Sequence, residues 1–341
     1  MKKKTGLLSL FLVLALVLVL LPGLQPEAKA AAPDSITVYG YTVKSGQYFS
    51  PANFKVFDYE PSVQGYLHYE NGVVTLKNYH REYTDIIANG DITIKLVSNS
   101  TFSKLGRIDV AGNLKFIGSG SLTLKTTGNY SAIKAGGSLE FAQTGKVIVS
   151  NTTGANCVYA EKTITVTSGV VDVTSQSTGY AAVRSAKGGI VVDGGELTVE
   201  SEFNGIQSLN AFSQRGGIVT VTSSAGTGIL VENSTSNAVV YSGKLTITAH
   251  LNGIQAQKLY VYGGRGIIES KYRGNTDQYS AVKIAYNSAS GFVTKPHVRA
   301  ETNAGYTVDY ANLGTLDCVI FYSSIKVNGV EVRDGRYLPS G

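Results

Sequence analysis

Apolar and polar residues alternate along most of the chain, as in Ser138-Leu139-Glu140-Phe141 and Lys146-Val147-Ile148-Val149-Ser150. Alternation at period two marks a strand with one buried face, and helical spacing is rare throughout. The pattern predicts Leu139, Phe141, Val147 and Val149 pointing inward, with Glu140, Lys146, Ile148 and Ser150 outward. The same parity runs through Leu114, Phe116, Leu122 and Leu124, through Ile164, Val166, Val171 and Val173, and through Leu197 and Val199.

The alternating stretches recur at a fixed interval. Asn-Gly-Ile-Gln occurs at residues 204–207 and again at 252–255. Aligning on it yields a ladder: Ile86, Ile108, Ile133, Val158, Val183, Ile206, Ile229, Ile254 and Val282, spaced by 22 to 28 residues. Each unit reads as a small residue and Ile or Val, a turn, a strand, a glycine turn and a second strand. Residues 107–128 and 132–154 are clear copies. Three short strands per repeat without a helix predict an all-β fold, a single-chain parallel β-helix (solenoid). About nine coils are expected, giving a rod about 43 Å long at roughly 4.8 Å per rung.

Corner positions are chemically uniform. The residue before each ladder position is Ala132, Cys157, Ala182, Gly205, Gly228, Gly253 or Ala281, so Cys157 reads as a small buried hydrophobe. Asn156, Asn204 and Asn252 recur one place earlier on alternate coils. They are expected to serve their own turns, because Asn tolerates left-handed backbone angles.

The ends depart from the period. Residues 33–83 form the expected Tyr-rich N-terminal cap, with a hairpin turning at Asn71-Gly72. Coils occupy 84–306, and a second cap is expected over 307–323. Residues 325–337 then repeat the Ile, Val, Gly, Val, Gly and Tyr of residues 36–48 at the same offsets. The segment 324–341 is therefore either the start of a second module or a paired closing strand.

Composition changes this picture in two ways. Lys2, Lys3 and Lys4, the apolar run from Leu7 to Leu21 and Ala28-Lys29-Ala30 predict that residues 1–30 are a cleaved signal peptide. Four lysines and Glu27 lie in that segment, so without it the formal net charge of +6 falls to +3. No basic cluster remains to argue for nucleic acid, and no later segment is apolar enough to span a membrane. Cys157 and Cys318 are expected to be unpaired thiols, because they sit in distant parts of the repeat.

The Ile-x-Val-x-Gly-x-x-Val opening, the strand NGVVTLKNY, the entry ANGDITIKLVSNSTF and the AGxLxFxGxGxLTL units carry a resemblance. Over nearly all of residues 35–335 the chain resembles a broad family of secreted bacterial β-helix proteins described as carbohydrate-binding-domain-containing. The resemblance implies the same fold, a secreted or cell-surface location and a polysaccharide or glycoconjugate partner. It transfers no site residues.

Candidate chemistry comes from two places. The outward row beside the ladder holds Asp109, Lys134, Tyr159, Arg184, Gln207, Leu230, Gln255 and Lys283. Lys134, Tyr159, Arg184, Gln207 and Gln255 are candidate glycan contacts. The same row is where a divergent polysaccharide lyase would set Lys134, Tyr159 and Arg184, although no acidic cluster stands beside them to hold calcium. The second source is tyrosine: Tyr39, Tyr41, Tyr66 and Tyr69 in the cap are candidates for stacking on sugar, and another group includes Tyr260, Tyr262, Tyr272, Tyr279 and Tyr286. Asn275-Thr276-Asp277 matches three letters of polygalacturonase-type hydrolases, but their Gly-His-Gly element and second aspartate are missing. His68, His80, His250 and His297 are scattered, so no metal or cofactor is expected. The leading expectation is a non-enzymatic extracellular glycan-binding or adhesion module; a lyase and a surface spacer are the alternatives.

Overall fold

The computed structural model describes residues 31–62 and 65–271, together with the backbone of seven strands between Val282 and Tyr337. The proposed leader at 1–30, Asn275-Thr276-Asp277, residues 302–317, and the side chains of Tyr272, Tyr279, Lys283, Tyr286, His297 and Cys318 lie outside the described residues. All described elements are strands. Among the described residues no helix is long and apolar enough to cross a membrane.

Each coil contributes three strands, for example Ile133–Ala135, Leu139–Phe141 and Lys146–Asn151. Every strand pairs in parallel with its equivalent one coil away. The ladder predicted from the repeat is present rung by rung: Ile86, Ile108, Ile133, Val158, Val183, Ile206, Ile229, Ile254 and Val282 are consecutive partners. Nine rungs bound about eight turns. The second strands, extended by the antiparallel cap strands Tyr66–Glu70, Gln47–Ser50 and Lys55–Phe57, build a 13-stranded sheet. First and third strands join in one 20-stranded sheet because His80–Ala88 and Ser100–Val110 run unbroken through both positions. From the third rung onward a loop divides the two, and these loops shape the site described below.

The core follows the expected parity. Leu139, Phe141, Val147 and Val149 are buried, as are their counterparts at Leu114, Phe116, Ile164, Val166, Leu197 and Val199. Burying each such side chain contributes roughly 1.5–3 kcal/mol. A coil achieves that only with neighbours above and below, so stability is shared between adjacent coils. The small column is also explained: a Cβ on Gly205 would stand 2.4 Å from Val221, and one on Gly228 the same distance from Ile247.

Polar residues inside the solenoid form a row of their own. Thr126, Asn151, Ser175, Ser201 and Ser223 end successive third strands, in register and buried. They satisfy loop backbone that water cannot reach. Asn151 Nδ2 donates to the Ala155 carbonyl at 3.2 Å, Ser201 Oγ to that of Asn204 at 3.0 Å, and Ser223 Oγ to that of Phe203 at 2.5 Å. Asn156 and Asn204 work differently from expectation, whereas Asn252 Nδ2 donates within its own turn to Gln255 Oε1 at 3.1 Å. None has a left-handed backbone, since the positive-φ non-glycine residues are Tyr39, Phe54, Asn71 and Asn78 among those described. Asn156 Nδ2 instead donates to the Ala181 carbonyl at 2.7 Å, and Asn204 Oδ1 accepts from the Thr227 N–H at 2.9 Å. Both bonds tie one coil to the next.

At the N-terminal end, Ser35–Val38 and Tyr41–Lys44 form a hairpin that lies antiparallel against His80–Ala88. The predicted hairpin at Asn71-Gly72 is present, with φ of 47° and 81° supplying the turn. Val73–Lys77 already stacks in parallel on Ile92–Leu96. At the other end Ser324–Val327 and Val330–Arg333 form a hairpin whose register, Ser324 with Arg333 and Val327 with Val330, repeats that of Ser35 with Lys44 and Val38 with Tyr41.

Cys157 is a free, buried thiol whose Sγ lies 3.1 Å from the Thr174 carbonyl. Burial pushes it up from 9.0 to about 12. In a Cys318→Ser background it is expected to ignore a thiol reagent at pH 8 until the protein is unfolded; rapid native labelling would contradict the packing. Because the folded value is raised, the stabilisation is complete below pH 9.0 and is lost as pH climbs toward about 12. Tyr79, held up to about 12 by burial, adds to the same alkaline loss above pH 10.0.

Candidate functional site

The outward row predicted beside the ladder is continuous. Asp109, Lys134, Tyr159, Arg184, Gln207, Leu230 and Gln255 are successive in-register partners on parallel strands. Their side chains alternate with the buried ladder residues, so the backbone alone turns them outward. Next to the first part of this row, the loops at 129–131 and 154–156, with Tyr180, rise from the coils and border an open groove of about 380 Å³. That is within the size range of small-ligand sites. It is lined by Arg107, Asp109, Lys134 and Tyr159 from the strands and by Asn129, Tyr130, Asn156 and Tyr180 from the loops.

Loop positions are set from inside. Asn151 Oδ1 accepts from the Thr153 N–H at 2.8 Å, and Thr153 Oγ1 donates to the Gly128 carbonyl at 2.6 Å. With the Asn156 bond to Ala181, three neighbouring loops are fastened to one another. A groove held in this way needs little ordering on binding. Tyr180 is 47% exposed, and the Arg107 guanidinium lies 5.2 Å from the Tyr130 ring centre.

Charged groups along the row are paired. Asp109 receives Arg107 in an ion pair and Lys134 at 3.5 Å. Glu161 receives Lys187 at 2.7 Å and accepts the Tyr159 hydroxyl. Glu232 receives Arg184 at 3.5 Å and accepts from Gln207. Burial and the bond to Glu161 hold the Tyr159 phenol up to about 12, while hydrogen bonds from Lys187 and Tyr159 lower Glu161. Burial raises the Asp85 carboxyl; Arg107 opposes the rise and Asp109 adds to it. Among the described residues no group of three or more His, Cys, Asp or Glu is placed to hold a metal ion.

The cap tyrosines do not line this groove. Tyr39 and Tyr41 are each 42% exposed, with rings 5.3 Å from Phe54 and 5.6 Å from Phe49. Tyr66 is half-buried with Lys77 above its ring. Tyr69 corrects the expectation of a sugar-stacking ring: it is wholly buried and its hydroxyl donates to the Pro33 carbonyl. It shares the inward face of its strand with Leu67, two residues earlier. Tyr241, Tyr260 and Tyr262 form a stack, with centroids 5.3 and 6.2 Å apart and planes within 16° and 5°. Stacked rings cover one another's faces along strands that are paired on both sides within the sheet.

Residues 180–333 match the family model described as carbohydrate-binding domain-containing protein. The chain resembles that type. The match supports a glycan-binding role; it takes in Arg184, Gln207 and Gln255 of the outward row and, of the groove lining, Tyr180, while the other lining residues precede it. No curated protein and no solved structure gives a match.

Arg107, Asn129, Tyr130 and Tyr180 were not singled out from sequence. The one available signal is positional: Tyr130 and Tyr180 each stand three residues before a ladder residue, Ile133 and Val183.

Proposed function

We propose that this protein is a non-enzymatic extracellular glycan-binding module that can serve in surface adhesion. The observation that carries the reading is the groove beside Lys134 and Tyr159, where tyrosine rings and asparagine amides converge on one preformed space. Tyrosine offers an apolar face for the C–H side of a sugar, and amides and hydroxyls meet its oxygens. The family match over residues 180–333 supports the same ligand class. Export rests on the predicted leader. Binding is favoured over proton abstraction, because Lys134 is drawn to Asp109 and the Tyr159 phenol stays protonated to about 12.

Affinity electrophoresis through gels containing cell-wall, mucin or plant polysaccharides tests the proposal. Retardation by at least one polymer is expected, and free mobility in all of them would end the binding reading. Tyr180→Ala is expected to weaken the interaction by about 1–2 kcal/mol, roughly 5- to 30-fold, through loss of its exposed ring. Its thermal unfolding should match that of the unaltered protein.

A further inference from the structure

We infer that the groove takes neutral polysaccharide and discriminates against acidic chains, with Asp109 as the specificity-determining residue. This rests on the glycan-binding reading above and narrows it. The reason is the charge inventory of the groove and the row that continues from it. Four cations, Arg107, Lys134, Arg184 and Lys187, face four carboxylates, Asp85, Asp109, Glu161 and Glu232. Asp109 is the in-register partner of Lys134 and stands two residues from Arg107 on the same face of one strand, and Asp85 is in register with Arg107, so the arrangement in the groove follows from strand alternation and register.

A uronate or sulfate entering this space would meet cations already engaged: Arg107 and Lys134 share Asp109 in the groove, and Asp85, beside Arg107 just outside the lining, supplies the second negative charge. It would have to displace a carboxylate from Arg107 or Lys134 while standing beside that carboxylate. Like-charge juxtaposition is the means by which binding surfaces reject a wrong partner. Neutral sugar hydroxyls meet no such barrier. They can bond to the paired carboxylates and amides while the C–H face lies against Tyr180. Asp109 is central because it alone accepts both groove cations. The neutral ligand should also bind with little salt dependence, since no counterions are released.

The test uses the full protein and polymers coupled to a matrix: a neutral galactomannan, a neutral β-glucan, polygalacturonate and alginate, each at about 0.02 and about 0.5 M NaCl. Binding to a neutral polymer that changes little with salt supports the inference. Tighter, salt-labile binding to polygalacturonate or alginate overturns it and leaves the glycan-binding reading in place. Absence of binding to every polymer overturns both. Asp109→Asn frees two cations and is expected to raise polygalacturonate binding about threefold to tenfold at low salt. Glu161→Gln, which frees Lys187 outside the groove lining, should shift it in the same direction. If both variants fold as the parent by circular dichroism and neither gains acidic binding, charge pairing is not the source of discrimination.

Discussion

Phe141→Ala is expected to lower the unfolding free energy by about 3–5 kcal/mol. The Phe141 ring is fully enclosed and lies 5.1 Å from that of Phe116 on the neighbouring coil, with planes 12° apart. On its other side Val166 is its in-register partner. Removing the ring leaves a void that the coils cannot close, because their spacing is set by backbone hydrogen bonds at about 4.8 Å. The transfer loss and the cavity cost therefore add. The loss also falls on a nearest-neighbour interface, so unfolding should lose cooperativity, with the coils before and after residue 141 separating into two steps. Urea unfolding followed by circular dichroism checks both points. A loss below about 1 kcal/mol would mean that the coil interior is loosely filled.

Gly217→Val is expected to be nearly as damaging, for a backbone reason. Gly169, Gly195, Gly217, Gly243 and Gly264 occupy equivalent turns between second and third strands, and all have positive φ. At Gly217 φ is 68°, and a Cβ would stand 2.3 Å from the Gly195 carbonyl oxygen. The penalty joins the left-handed conformation, which valine accommodates worst, to a collision with backbone that is itself pinned in a sheet. Together these predict a loss of about 2–4 kcal/mol. Gly179→Ala provides the contrast. A Cβ on Gly179 would meet nothing within 4 Å, and its φ is not positive, so the change should stay within about 0.5 kcal/mol. Equal stability of the two variants in thermal melts would refute the argument.

Most of the scaffold could be read from local pattern. Leu139 and Phe141 had to share a face once they belonged to one strand, and recurrence of that pair as Leu114 and Phe116, then Ile164 and Val166, supplied the stacking register. The outward row from Asp109 to Gln255 follows from the same parity. Tyr69 shows where composition misled: its clustering with other tyrosines drew attention, whereas its alternation with Leu67 had already assigned it to the core. Asn156 shows a different limit. Its recurrence was visible, but its partner is a carbonyl 25 residues away, at Ala181.

Within one repeat, then, the amino-acid sequence by itself determined strand, facing and coil period, because side-chain alternation is a property of adjacent residues. Tertiary structure alone decided the groove. Arg107, Tyr130, Asn156 and Tyr180 come from consecutive coils, and the loops carrying them are set by hydrogen bonds to buried polar side chains and to one another. Lateral stacking also decided that Lys134 meets Asp109 across a coil boundary and that Arg184 meets Glu232 further along, whereas Arg107 and Asp109, two residues apart on one strand, already shared a face.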